Sequence, residues 1–198
     1  MLRPIHIVFS LVLWGSVLAG CSAVKLPTPG AAPAPTPAPY GLKVPHAVTV
    51  DDGAGGKLRL QLASVVTGTG LGSGFGSRGY SMGGNGGPKH EGIDIIAPYG
   101  APIRAAAAGQ VVDLGTRGAY GKFVLIRHTD RIETAYAHLS AYGKTLALGR
   151  WVSADDIIGY VGTTGNSTGA HLHYEVRRGG KPSDPLKFPS DTKQQAGS

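Results

Sequence analysis

From Ala47 onward, the sequence is a succession of short apolar runs separated by turn residues. Gly, Pro, Asn or Asp stands between most of the runs, and no amphipathic helix of about ten residues or more can be traced. The 32 glycines among 198 residues agree with this pattern. The sequence therefore predicts an all-β domain of antiparallel sheets with glycine-rich loops. The predicted strands are KLRLQLASVV, GIDIIAP, GQVVDLG, KFVLIRH, ETAYAHLS, IIGYVGTTG and HLHYEVRR.

A glycine-dense segment extends from Gly68 to Gly87. Within it, Gly74–Gly79 has the spacing G-x-G-x-x-G of a dinucleotide-binding turn. That motif requires a helix directly after it, and the residues that follow, YSMGGNGGP, cannot form a stable helix. We therefore interpret the segment as a glycine-rich loop.

The N-terminus has the features of a secretory signal. A basic start at Arg3 precedes an apolar run, Ile7–Ala19, which is too short to span a bilayer comfortably. The residues Leu-Ala-Gly before Cys21 resemble the lipobox of bacterial lipoproteins. The resemblance implies cleavage before Cys21 and acylation of its thiol. Cys21 is the only cysteine, so the chain cannot form an internal disulfide.

These features divide the chain into four parts. We expect a lipoprotein signal peptide at 1–20, a lipidated cysteine and Pro/Ala-rich linker at 21–46, a folded domain at 47–190 and a disordered tail at 191–198. The linker would be an extended spacer between domain and membrane. By resemblance to lipoproteins of Gram-negative cells, Ser22 is compatible with sorting to the outer membrane. This resemblance implies a lipoprotein on the periplasmic side of that membrane, facing the cell wall.

The chain is basic, with a formal net charge of +7 and a pI of about 9.6. Such a charge favours an anionic partner, which could be a nucleic acid, a membrane surface or an anionic polymer. The sequence has neither a recognisable nucleic-acid reader motif nor a dense basic run. We therefore expect no nucleic-acid partner.

The run HLHYEV places two histidines one residue apart in a predicted strand. Because successive side chains of a strand point to opposite faces, His171, His173 and Glu175 share one face. The other face, Leu172, Tyr174 and Val176, is apolar and is expected to contact the core. The two histidines either lie on a wet sheet face or belong to a common reaction centre.

Two further runs carry the same kinds of residue. In HEGIDII, we expect Ile93 and Ile95 to face the core and Asp94 the opposite side, with His90 just before the strand. This run is not an H-E-x-x-H helix, because position 94 is Asp and Gly92 disfavours a helix. In TAYAHLS, alternation predicts that Tyr136 and His138 share a face opposite Ala135 and Ala137. We interpret His46 and His128 as structural or exposed.

The order H-x-x-x-D, A-H-L and H-L-H within glycine-rich β-type runs resembles the M23 peptidases, also called the lysostaphin or LytM family. Longer stretches agree with it, including HEGIDIIAPYGAPIRAAAAGQVV and IIGYVGTTGNSTGAHLHYEVRRGGKPSDP. The resemblance extends from about Gly72 to Phe188. It implies the lysostaphin/LytM fold and a zinc endopeptidase that hydrolyses peptide cross-links or stem peptides of bacterial peptidoglycan.

The resemblance also implies residue roles. His90, Asp94 and His173 would bind Zn²⁺, and His138 and His171 would be catalytic. One of these two would take a proton from water and the other would hydrogen-bond the developing oxyanion; the sequence leaves their order open. The alternatives are a non-catalytic LytM-type activator of other cell-wall hydrolases and a passive peptidoglycan-binding lipoprotein. The complete set of ligands favours the enzyme.

Overall fold

Strands form nearly all the regular structure of this computed structural model, which describes residues 44–68, 70–76 and 89–190. A single helical turn, α1 (Leu62–Val65), and a 3-10 turn, Gly118–Tyr120, are the exceptions among these residues. The predicted all-β fold is therefore confirmed. The strands are β1 (Val48–Asp51), β2 (Lys57–Leu60), β3 (Gly70–Ser73), β4 (Ile93–Ile96), β5 (Pro102–Arg104), β6 (Gly109–Arg117), β7 (Gly121–Arg127), β8 (Ile132–Tyr142), β9 (Trp151–Val152), β10 (Ile157–Val161), β11 (His171–Arg178) and β12 (Lys181–Ser183).

Ten of the strands in the described part of the chain form one antiparallel sheet. Its main order is β3-β4-β11-β8-β7-β6-β9, with β10 pairing with β5 and β8 and β12 pairing with β11. β1 and β2 form a separate hairpin. The neighbours β4, β11 and β8 carry Asp94, the two histidines of HLH and His138, respectively. The pairing therefore brings motifs that are far apart in the sequence to one place in the sheet.

The apolar core lies against one face of β4 and β11. Ile93 and Ile95 of β4 and Leu172, Tyr174 and Val176 of β11 are all buried in it. Alternation in these two strands predicts this arrangement, and the prediction is confirmed. The opposite faces of the same strands are consequently free to carry polar groups.

The prediction that KLRLQLASVV is one strand is wrong in its second half. β2 ends at Leu60, and the following residues form α1. Leu62 and Val65 are three positions apart, so one helical turn buries both against the core, whereas a strand would turn them to opposite faces. The backbone bond from Ala63 N–H to the carbonyl of His46 holds this turn against the start of the domain.

β8 contains a bulge that alters the predicted direction of His138. Between two consecutive pairings with β7, β8 uses one residue more than β7, and the extra residue falls between Tyr136 and Leu139. His138 has a φ of 62°, in the left-handed region. Bulges re-aim side chains next to functional sites. The prediction that Tyr136 and His138 share a face is therefore wrong: Tyr136 lies in the core, and His138 faces the histidines of β11.

The loop before β7 packs tightly against the loop after β10. A Cβ at Gly121 would lie 2.3 Å from the backbone carbon of Thr164, and Gly121 itself has a φ of 64°. Glycine has no Cβ to clash with Thr164 and adopts a positive φ without strain, so any other residue here would displace the backbone. This contact fixes Tyr120 and Thr164 near the polar face of β11.

Several sequence predictions lie outside the described residues. They concern the signal peptide, Cys21, most of the linker, the tail and residues 77–88 of the predicted glycine-rich loop. The start of the glycine-dense segment differs from the prediction, because β3 (Gly70–Ser73) pairs there with β4. Within the described ranges, no helix has the length and apolar content that crossing a membrane requires.

Candidate active site

Two ring nitrogens and one carboxylate oxygen converge on the polar face of the sheet. Nε2 of His90 lies 3.1 Å from Oδ1 of Asp94 and 3.0 Å from Nδ1 of His173. The third side of this triangle, from Nδ1 of His173 to Oδ1 of Asp94, measures 2.9 Å. Groups of this composition and proximity can hold a metal ion. The structure therefore brings together three residues that lie up to 83 positions apart in the sequence.

The sheet itself creates this convergence. His173 and Asp94 are direct partners across β11 and β4, so their side chains project from the same face. His90 precedes β4 and is anchored by a backbone bond from Gly76 N–H to its carbonyl. Gly92 lets the intervening chain approach β11, because a Cβ there would lie 2.3 Å from the carbonyl oxygen of Tyr174. A larger residue at position 92 would push the histidine and aspartate away from the third ligand.

Each candidate histidine ligand has a partner on its other ring nitrogen. Nδ1 of His90 lies 2.7 Å from the carbonyl oxygen of Gly74, and Nε2 of His173 lies 3.0 Å from Oε1 of Glu175. A carbonyl oxygen only accepts, so Nδ1 of His90 donates and its Nε2 presents a lone pair. Partners of this kind fix the tautomer and ring orientation of metal-ligating histidines.

The donor set fits zinc. Two imidazole nitrogens and one carboxylate oxygen are ligands that zinc accepts, and three protein ligands leave a coordination position open. With bonds of about 2.0–2.1 Å, tetrahedral zinc separates two ligand atoms by roughly 3.3 Å. The distances of 2.9–3.1 Å in the triangle are slightly shorter, so a small outward shift of the three side chains accommodates the ion.

His138 and His171 flank the triangle. Their ring centroids are 4.7 Å apart, and Nε2 of His171 lies 3.7 Å from Oδ1 of Asp94. Nδ1 of His138 donates to the carbonyl of Thr164 over 2.8 Å, and Nδ1 of His171 donates to the carbonyl of Gly169 over the same distance. In its neutral form, each ring therefore carries its hydrogen on Nδ1 and presents a lone pair at Nε2.

The electrostatic surroundings differentiate these groups. Burial opposes a charge on Asp94, but its close contacts with the rings of His173 and His90 lower its pKa well below its usual range. Burial likewise opposes a charge on His173, but Asp94 and Glu175 raise its pKa to about 9. Burial and the neighbouring His171 lower the pKa of His138 to about 4. A cation near Asp94 is therefore favoured, whether a proton on His173 or a metal ion, while His138 is neutral.

Three residues around His173 have no role among the sequence predictions. Alternation predicts that Glu175 lies on the histidine face, but it does not predict the complete burial of Glu175 or its contact with His173. Arg177 and Tyr120 both donate to Glu175. Arg177 is two positions after Glu175 in the same strand, so alternation places the two side chains on one face. Nothing in the sequence around Tyr120 indicates that it lies near them.

The two histidines interpreted as structural or exposed lie outside the site. His128 hydrogen-bonds Ala108 and Thr134, and His46 is exposed.

Comparison with known proteins assigns this arrangement to a family. Residues 88–185 match peptidase family M23. The chain is 50% identical over 97 residues to the DD-carboxypeptidase/endopeptidase Mpg of Neisseria meningitidis, and this alignment covers 49% of the chain and 22% of Mpg. It is 39% identical over 106 residues to a lipoprotein NlpD/LppB homolog of Pseudomonas aeruginosa, covering 52% of the chain and 34% of that protein.

Solved structures agree with the sequence matches. The catalytic domain of lysostaphin from Staphylococcus simulans superposes with a TM-score of 0.51 at 33% identity, over 59% of this chain and 88% of that domain. The chain belongs to peptidase family M23. A zinc-containing peptidase from Vibrio cholerae superposes with a TM-score of 0.53 at 30% identity, over 61% of this chain and 36% of that protein.

Membership in family M23 confirms the family and fold that the motifs predicted. The matched region contains all five candidate residues, since it begins at residue 88 and ends at residue 185. The chain spans only about a fifth to a third of the length of the two relatives above, at 22% and 34%. The shared part is thus the peptidase domain.

Proposed function

We propose that this chain is a zinc metalloendopeptidase that hydrolyses peptide cross-links or stem peptides of bacterial peptidoglycan. The observation that carries the proposal is the triangle of His90 Nε2, Asp94 Oδ1 and His173 Nδ1, with sides of 2.9–3.1 Å and two further histidines beside it. The family match and the similarity to Mpg, which is named a DD-carboxypeptidase/endopeptidase, support the substrate class. The zinc-containing relative supports the choice of metal.

The proposed chemistry divides between ligands and flanking histidines. Zinc bound by His90, Asp94 and His173 would acidify a water molecule and polarise the scissile carbonyl. Of His138 and His171, one accepts the proton of the attacking water at Nε2 and returns it to the leaving amine. The other, when protonated at Nε2, donates a hydrogen bond to the developing oxyanion. Their Nδ1 bonds to backbone carbonyls hold both rings in place for these steps.

The test is digestion of purified peptidoglycan by the full chain, followed by mass spectrometry of the released peptides. We expect about one bound zinc per chain and new peptide termini in the digest. Chelation before digestion should remove the zinc and prevent cleavage, and added zinc should restore both. A zinc-loaded chain that releases nothing, yet stimulates a separate wall hydrolase, would instead establish the activator alternative. A chain that binds sacculi without zinc and without cleavage would establish a passive binding protein.

We further propose that the chain is a lipoprotein attached through Cys21, with the division into signal peptide, linker, domain and tail given above. The lipobox-like residues before Cys21 and the lipoprotein relative support this. Cys21→Ser should release the chain from the membrane fraction or leave it held by an uncleaved signal. Ser16→Ala, within the apolar run, is the matched control and should remain lipidated. Normal processing and membrane retention of Cys21→Ser would disprove lipid attachment.

A further inference from the structure

A buried carboxylate lies on the side of His173 that faces away from the three converging ligand atoms. Oε1 of Glu175 is 3.0 Å from Nε2 of His173, and the Glu175 side chain is fully buried. We propose that Glu175 is a positioning residue, which accepts a hydrogen from Nε2 of His173 and thereby directs the Nδ1 lone pair to the metal. This inference rests on the metal site of the proposed function.

The partners of Glu175 determine the direction of this hydrogen bond. Nε of Arg177 donates to Oε2 over 2.7 Å, and the hydroxyl of Tyr120 donates to Oε1 over 2.8 Å. A guanidinium has no acceptor atom, so Glu175 takes the acceptor role. His173 must therefore supply the hydrogen on Nε2, and in the neutral ring Nδ1 is then the lone-pair nitrogen. That nitrogen is the one within 2.9 Å of Asp94.

Tyr120 also contacts a second carboxylate. Its hydroxyl lies 3.1 Å from Oε2 of Glu91, the residue after His90. One hydroxyl hydrogen can serve only one acceptor at a time, and the shorter distance is to Glu175. The Tyr120 hydroxyl therefore hydrogen-bonds Glu175, which orients His173. It also contacts the segment that carries His90, another of the candidate metal ligands.

The cover over Glu175 strengthens the interaction. The rings of Phe123 and Tyr120 contact each other in a tilted arrangement, with centroids 5.2 Å apart, and Cζ of Arg177 lies over the Phe123 ring, 5.8 Å from its centroid. Ala135 pairs directly with Glu175 across the sheet. These side chains keep water from the carboxylate, and in a low-dielectric interior an unpaired hydrogen-bonding group is costly. His173 is consequently restrained in one ring orientation.

The alternative is that Glu175 and Arg177 form an ion pair that only stabilises the fold. In that case, loss of the Glu175 charge would change the free energy of unfolding but not the metal affinity of a folded chain. Hydrogen-bond partners of metal-ligating histidines typically contribute a factor of about 10–100 in metal affinity. Metal affinity therefore distinguishes the two roles.

The experiment measures the zinc dissociation constant of the full chain by competition with a chromophoric chelator. Glu175→Gln retains the shape of the side chain and should weaken zinc binding by about 10–100-fold. Tyr120→Phe keeps the ring and deletes one donor to Glu175, so a smaller loss of about two- to tenfold is expected. Glu133→Gln is the matched control. It removes a carboxylate that accepts from Arg127 on the neighbouring strand, with no hydrogen bond to a ligand histidine, and should bind zinc like the unaltered chain.

A second readout reports on the hydrogen bond itself. In the zinc-loaded chain labelled with ¹⁵N-histidine, the Nε2 hydrogen of His173 should be protected from solvent exchange, and Glu175→Gln should accelerate that exchange. Unchanged affinity together with unchanged exchange in Glu175→Gln would overturn the proposal. If Glu175→Gln does not fold, Tyr120→Phe decides, and wild-type affinity in that variant would overturn it. A wild-type chain that binds no zinc would instead disprove the proposed function.

Discussion

Strand β11 has two buried faces of different chemistry. On one face, Leu172 and Val176 are completely buried among aliphatic and aromatic side chains of the core. On the other, His173 and Glu175 are also buried, with 6% and 0% of their surface exposed, and each is surrounded by polar partners. The first face requires only apolar volume. The second requires a hydrogen-bond or metal partner for nearly every nitrogen and oxygen.

The two faces therefore differ in their roles: the core face stabilises the domain, and the polar face carries the chemistry of the candidate site. Apolar packing is non-directional, so residues of similar volume can replace one another on the core face at modest cost. Burial of a polar group is unfavourable unless its hydrogen-bond partners lie at defined positions. The polar face of β11 should therefore tolerate substitution far less than the core face. Substitutions on the polar face should affect the chemistry of the candidate site more than folding.

The largest effect is expected from His173→Ala on the polar face. The variant loses one of three metal ligands, so bound zinc should fall from about one per chain towards zero, and peptide cleavage should become undetectable. The measurement is metal content beside activity on purified peptidoglycan. His46→Ala, at an exposed position, is the control and should retain both. Full zinc occupancy in His173→Ala would show that the metal lies elsewhere.

The matched change on the core face is Leu172→Ala. Removal of a fully buried leucine side chain typically costs about 2–5 kcal/mol of unfolding free energy, because it removes apolar contacts and leaves a cavity. Urea unfolding should show this loss, while the folded fraction should still bind zinc. Leu148→Ala removes the same atoms from a side chain that is 66% exposed and should change stability little. Equal losses in both variants would refute the packing argument.

The sequence predicted the parts of the site that depend on regular alternation. Asp94 and His173 lie on the expected faces, because β4 and β11 pair without irregularity at these positions. The direction of His138 was not predictable, because a bulge adds a residue that leaves no mark in the local sequence. The burial of Glu175 was not predictable either, because its cover includes Tyr120 from a loop 55 positions away.

The flanking histidines should separate metal binding from catalysis. His138→Ala and His171→Ala leave the three metal ligands in place, so each variant should fold and bind about one zinc. Cleavage should fall by a factor on the order of 10² or more, equivalent to about 2.7 kcal/mol in the activation barrier. Loss of zinc in His171→Ala, with zinc retained in His173→Ala, would reverse the assigned roles. Wild-type activity in both flanking variants would exclude them from catalysis.

The smallest effect tests the polar exceptions on the core side. The rings of Tyr136 and Tyr174 lie 5.5 Å apart in neighbouring strands, and both side chains are fully buried. The Tyr136 hydroxyl accepts from Ala106 N–H over 2.9 Å and hydrogen-bonds Thr134, whereas the Tyr174 hydroxyl has no hydrogen-bond partner within the described ranges.

Tyr136→Phe should therefore lower the free energy of unfolding by about 1–3 kcal/mol, because it leaves a buried N–H without an acceptor. Tyr174→Phe removes a hydroxyl that gains nothing from burial, so its stability should be unchanged or slightly higher. Urea unfolding of the two variants gives the comparison. A cost for Tyr174→Phe equal to that for Tyr136→Phe would show that the Tyr174 hydroxyl stabilises the core, and it would refute this comparison.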